Sequence, residues 1–110
     1  MDFLAKILLK SLPKNEPDVV LLKVLSKGKI NREKYKIEYE MIDYYDEKNK
    51  ITAMMRTTGY STSIIAQMIE RGDIVDKGVL TPEKVVSPDI MFKELKKRGI
   101  VVNRKIIRVK

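Results

Sequence analysis

Two apolar rhythms run along this chain, one with a period of two residues and one of three to four, and they divide it into strands and helices. Residues 3–11 form a short amphipathic helix that Pro13 stops, and Pro13 to Pro17 makes a polar connector. Asp18 to Leu25 is a near-continuous apolar run of strand length, the pattern of a strand buried on both faces. Ser26 to Arg32, with Gly28 and Asn31, reads as a turn. Over residues 34–45 the alternation is strict. Tyr35, Ile37, Tyr39 and Met41 point one way, and Lys34, Lys36, Glu38 and Glu40 the other. It slips where Ile42 follows Met41, which predicts a bulge or a strand end. The link between the two strands is too short for a crossover helix, so they pair as an antiparallel hairpin.

Asp46 to Lys50 is a charged turn into the longest helix, 52–71, about 30 Å long at 1.5 Å per residue. Met55, Ile65 and Ile69, with Thr58 and Thr62 between them, recur every three or four residues and mark one helix face. Gly59, Ser63 and Ala66 add small residues at similar spacing, which suits close packing by a neighbouring backbone. A glycine inside a helix costs roughly 1 kcal/mol against alanine, so Gly59 calls for such a reason. Gly72 ends the helix in the left-handed cap position. Gly78 to Val86 is a short extended segment interrupted by Pro82. Ser87-Pro88-Asp89 starts another helix, with a cap, a proline at the first helical position and a carboxylate. That helix runs to about Arg98 and stops at Gly99. Ile100 to Val109 supplies a last strand, at a sheet edge if its basic residues meet water. The expected fold is α+β over one domain, 1–110: a small mixed or antiparallel sheet with helices packed on one face.

Composition narrows the chemistry. A chain of 110 residues has room for one modest core. It contains no histidine or cysteine, which removes disulfides, tetrahedral zinc sites and the usual nucleophile–base pairs. Its glutamate and lysine enrichment is a pattern of hyperthermophile proteins. No apolar run spans a bilayer, and Asp2, Lys6 and Lys10 break the N-terminal stripe, unlike a signal peptide. The expected setting is the cytoplasm.

A net charge of +8 raises nucleic acid as a partner. Lysines and acids alternate through residues 31–50, the pattern of a solvated surface, and the excess gathers at Lys93, Lys96, Lys97, Arg98, Arg104, Lys105, Arg108 and Lys110. Part of that run complements a helix C-terminus without any partner. Tyr35, Tyr39, Tyr44 and Tyr45 suggest a stacking platform, although tyrosines on an alternating strand are usually packing residues. Thr58 to Met68 faintly resembles a helix-turn-helix entry, with 95–109 as helix end plus wing. Binding of nucleic acid by such a winged-helix-like module is the alternative to the function developed next. A folded oligomeric scaffold without catalysis is a third reading.

Three blocks in order, Ala53-Met-Met-Arg-Thr-Thr-Gly59, Gly78-Val-Leu-Thr-Pro-Glu83 and Glu94-Leu-Lys-Lys-Arg-Gly-Ile100, make the chain similar to the C-terminal region of the saccharopine dehydrogenase-like family. Residues 51–100 carry the likeness, and 18–50 share it more loosely. The family joins a Rossmann domain to a substrate and dimerisation domain. Here the five glycines are too far apart to make Gly-x-Gly, so the dinucleotide-binding half is absent and no cofactor is expected in this chain. The resemblance implies NAD or NADP on a Rossmann partner, with this piece encoded alone, split or excised.

The resemblance also implies a carboxylate-bearing amino-acid substrate and a homo-oligomer or a Rossmann-domain partner. It singles out Arg56, whose guanidinium fork suits a carboxylate, with Thr57 and Thr58 as hydroxyl donors. The competing reading of Arg56 is an exposed helix residue paired with a nearby acid. On the first reading, Arg56→Ala in a reconstituted enzyme raises KM and leaves the fold intact. Catalysis by this chain alone is not expected.

Overall fold

The hairpin predicted from the alternation is the spine of the fold. The structure, a computed structural model, describes residues 2–12 and 16–110, so most of the connector expected at Pro13–Pro17 lies outside the described residues. In chain order the elements are α1 (Phe3–Ser11), β1 (Val19–Ile30), β2 (Glu33–Tyr44), α2 (Ala53–Arg71), α3 (Pro82–Val85), α4 (Pro88–Lys97) and β3 (Val102–Val109). The sheet has the order β1-β2-β3, and both pairings are antiparallel. The α+β class and the edge position of the last strand are as expected.

Four local expectations are corrected. The turn between β1 and β2 is only Asn31 and Arg32, both left-handed at φ 50° and 69°. Two positive φ values match the twist of a tight hairpin, so Ser26 to Ile30 stay in the strand. No bulge occurs near Ile42: the register is unbroken from Val19↔Tyr44 to Ile30↔Glu33. Ile42 faces away from the helices opposite Leu21, while Asp43 continues the inward phase of Met41. β1 is not buried on both faces. It is an edge strand whose Leu21, Leu22, Val24 and Leu25 are all exposed, because the helices reach only its first residues. Finally, Pro82 begins a one-turn helix instead of interrupting an extended segment, since its fixed φ suits the first helical position.

The core lies between the Val20–Met41–Val102 end of the sheet and helices α2 and α4. Met41, Ile64, Met68, Ile74, Leu95 and Ile100 form it. Tyr39 meets Phe92 of α4 with ring centroids 5.8 Å apart. Two helix ends deliver core residues. Gly72 (φ 83°) closes α2 and lets the Ile74 N–H reach the Met68 carbonyl at 3.2 Å. Gly99 (φ 80°) closes α4 and lets the Ile100 N–H reach the Leu95 carbonyl at 3.0 Å. Both turns need a left-handed residue, which glycine adopts without a Cβ penalty.

The buried stripe of α2 also differs from the expected one. Ala53, Ile64 and Met68 are buried, with Thr57 and Ser61 half-buried between them. Met55 and Ile69 are 56% and 58% exposed, and Gly59, Thr62, Ser63 and Ala66 line the same open side, whereas Ile65 of the expected stripe is half-buried and packs against the core. Both stripes repeat every three or four residues, so periodicity alone does not choose between them. The start of α2 is tied to the sheet. Thr52 caps it through the Met55 N–H at 3.1 Å. Asp18 takes the Ala53 and Met54 N–H groups at 2.6 and 3.0 Å, and its own carbonyl accepts from the Tyr45 N–H at 3.1 Å. A carboxylate at this helix end satisfies free donors and opposes the dipole.

Candidate functional site

Where β2 ends and α2 begins, Arg56 reaches across the gap. Its Nε donates to Asp43 Oδ2 at 2.9 Å and its Nη2 to Asp43 Oδ1 at 3.3 Å, a bidentate pair. Nη2 also donates to the Arg98 carbonyl at the end of α4, 3.2 Å away. Nη1 lies 3.5 Å from Asp46 Oδ2, and the guanidinium carbon sits 5.4 Å from the centre of the Tyr60 ring. The Arg56 side chain is only 12% exposed, and Asp43 is 4% exposed. The hydrogen bond to Asp43 raises the Arg56 pKa above its ordinary value, against the opposing effect of burial.

Asp46 organises the turn that carries it. It accepts from the Asn49 backbone N–H at 2.9 Å and the Asn49 side chain at 2.8 Å, and it bridges to Ile51. The Asn49 side chain, then its backbone, holds the Asp46 carboxyl below its usual range, with Arg56 adding to the effect. Arg56 thus joins the sheet, the 46–51 turn and the α4–β3 junction. Gly99 belongs to this junction, for a Cβ there would lie 3.6 Å from Arg56 Nη2.

The three residues expected to bind substrate do not converge. Arg56 turns towards Asp43. Thr57 faces the apolar groove beside the sheet, its hydroxyl donating to the Ala53 carbonyl at 2.9 Å. Thr58 is exposed, its hydroxyl 3.8 Å from Met54 Sδ. Three of the five Arg56 N–H groups serve Asp43 and Arg98, and the remaining end, Nη1, faces the Asp46 carboxylate at 3.5 Å. Of the close-packing positions, Gly59, Ser63 and Ala66 are exposed, and a Cβ on Gly59 would meet nothing within 4 Å. Within the described chain, no backbone approaches them.

Asp43, Asp46 and Tyr60 were not singled out in the sequence. For Asp43 the signal was present: it continues the Tyr35, Ile37, Tyr39, Met41 phase, and a carboxylate on an apolar face needs a partner. A second network, centred on Glu94, locks α4 to α2. Lys97 Nζ and Arg98 Nη1 reach Glu94 at 2.7 and 2.9 Å, Arg71 lies 3.8 Å away, and Arg98 also donates to Gln67 at 3.2 Å. The Lys97 ammonium first, then the Arg98 guanidinium, pull the Glu94 carboxyl down from 4.5 to about 2. A carboxyl depressed by folding stabilises above its unfolded pKa. Its contribution therefore declines below about pH 4.5 and is gone once pH has fallen through about 2. Acid titration of stability is expected to be shallower over this window in Glu94→Gln than in the parent protein, as read by urea midpoints at successive pH values.

The basic run does not gather on one surface. Lys97 and Arg98 serve Glu94. Arg104 and Arg108 lie on the helix side of the sheet beside Tyr39 and Tyr35, whereas Lys105 lies on the other side beside Glu38. Tyr44 shares neither face nor neighbours with Tyr39. Residues 58–68 sit inside one continuous helix, without the turn that a helix-turn-helix requires. Among the described residues no helix is long and apolar enough to cross a membrane.

No solved structure matches the chain. The family model of the saccharopine dehydrogenase C-terminal domain matches residues 1–100, which takes in every element through α4 and the Arg56, Asp43 and Glu94 networks. The chain belongs to the saccharopine dehydrogenase C-terminal domain family.

Proposed function

We propose that this chain is the substrate-binding and dimerisation module of a saccharopine dehydrogenase-like, NAD(P)-dependent oxidoreductase, with hydride chemistry on a separate Rossmann partner. The observation that carries the reading is the apolar surface this domain leaves open. Leu22, Val24 and Ile106 are exposed on the helix side of the sheet, Leu21, Ile42 and Tyr44 on the other, and Met55 and Ile69 along α2. Contiguous exposed apolar patches mark surfaces built for a partner. In this reading α2 and the sheet wall a pocket closed by the Rossmann part or a second subunit.

Arg56 takes a divided role. Its fork positions Asp43 and the 46–51 turn, and Nη1, 3.5 Å from Asp46, meets a substrate carboxylate by exchanging that long contact, with Thr57 lining the adjoining groove. The substrate class is an amino acid joined to another through a secondary amine, oxidised with NAD or NADP on the partner.

Complementation tests this function. A saccharopine dehydrogenase-like enzyme stripped of its own C-terminal domain is mixed with the 110-residue chain, and saccharopine oxidation is followed by nicotinamide reduction. Neither part alone is expected to turn over, and the mixture is expected to recover activity and co-elute. Lack of both co-elution and recovered activity would overturn the reading.

A further inference from the structure

An open apolar groove of about 610 Å³ runs between the helix side of the sheet and helices α2 and α4. Val20, Leu22 and Val24 line it from β1, Met91, Phe92 and Leu95 from α4. No residue of α1 lines it. α1 itself has no buried residue: Phe3 is 76% exposed, and Leu4, Ile7, Leu8, Leu9 and Leu12 are exposed with it. Asp2, Lys6 and Lys10 fall four apart on one side of that helix, leaving Phe3, Leu4, Ile7 and Leu8 as an apolar stripe. The chain thus carries an uncovered apolar helix and an uncovered apolar groove.

We infer that α1 of one copy docks in the groove of a second copy, and reciprocally, so that exchange of the N-terminal helix holds a two-fold dimer. This rests on, and gives a mechanism to, the dimerisation part of the function proposed above. Dimensions agree. Nine helical residues extend about 13.5 Å at 1.5 Å each, and the β1 wall from Val20 to Val24 extends about 13.5 Å at 3.3–3.4 Å per residue. Asp18 is fastened to the start of α2, so the tether of α1 begins beside the groove's mouth at Val20. Six residue steps from Leu12 to Asp18 give a reach of about 20 Å at most. A copy placed along the exposed edge of β1 lies within that reach. Because the same two surfaces meet twice, the assembly closes at two copies.

The chain has no cysteine, so introduced thiols report the contact cleanly. The L8C chain is mixed with a differently tagged V24C chain, allowed to exchange subunits and oxidised mildly. Both positions are exposed in the structure, and circular dichroism of each variant checks that the fold is kept. The expected product is the hetero-disulfide, exceeding each homo-disulfide by an order of magnitude. The second expectation is that L8E shifts the light-scattering mass from dimer to monomer with an unchanged spectrum. A parent chain that is monomeric at all concentrations overturns the inference, as does a dimer that survives L8E. So does an L8C/V24C chain that closes its disulfide within one copy at high dilution. A dimer that survives L8E would sink the helix exchange alone, leaving the oxidoreductase module to be judged by complementation.

Discussion

Asp43→Ala lowers the stability of the domain by about 3–5 kcal/mol, the cost of removing one partner from a buried ion pair and leaving the other charge unpaired. Arg56 would keep the Arg98 carbonyl, the Tyr60 ring and the longer contact to Asp46, in a site that water reaches poorly. For a domain whose total stability is about 5–15 kcal/mol, that is a large share. Urea unfolding of Asp43→Ala, Arg56→Ala and the double variant measures it. The two losses should overlap in the double variant, and simple additivity would show that the pair is not coupled. Replacing both residues with apolar ones of similar volume should recover much of the loss, since a buried ion pair itself contributes little net stability.

The same geometry changes what Arg56→Ala means for function. The expectation that this variant raises KM without touching the fold sits poorly with a guanidinium that joins Asp43, Asp46 and Arg98. Arg56→Lys is the better probe, because it keeps the charge and loses the fork. A KM increase in a stable Arg56→Lys enzyme would support the substrate role assigned to Nη1.

Ile64→Ala has the other large effect, about 2–5 kcal/mol from lost transfer energy and the cavity left behind. Ile64 is fully buried at the centre of the contact between α2, α4 and the sheet. Ile69→Ala, on the exposed stripe of the same helix, should shift stability by no more than about 0.5 kcal/mol in the isolated chain. Urea midpoints with unchanged slopes read both. Equal losses at the two positions would mean that α2 packs with both stripes in solution. Together the pair tests which face of α2 the domain uses for its own core.

Much of this fold was legible in the sequence. The hairpin, the helices over 3–11 and 52–71 and the stops at Gly72 and Gly99 follow from local rules: side-chain alternation in strands, three-to-four-residue periodicity in helices and glycine where φ is positive. Ser87, expected to cap α4, makes no side-chain cap bond. What was misjudged depended on neighbours distant in the chain. The apolar run at 18–25 suggested a doubly covered strand, but burial is set by the layers that reach it, and α2 and α4 cover only the first part of β1. The turn at 26–32 shrank because the hairpin register carries pairing out to Ile30, whatever the local signal of Gly28.

The site divides along the same line. Arg56 could be picked out from the Arg-Thr-Thr-Gly block, and the family resemblance it carries agrees with the match over residues 1–100. Its partners could not, because Asp43 is thirteen residues away on a strand and the Arg98 carbonyl lies forty-two residues on. The sequence by itself determined the hairpin, the helices at 3–11, 52–71 and 88–98, the last strand and the family, but not the one-turn helix at Pro82–Val85. Only the tertiary structure decided which stripe of α2 faces the core, what Arg56 holds, and which apolar surfaces stay open. Local periodicity fixes the shape of a segment, whereas burial and charge pairing are properties of what other segments bring to it.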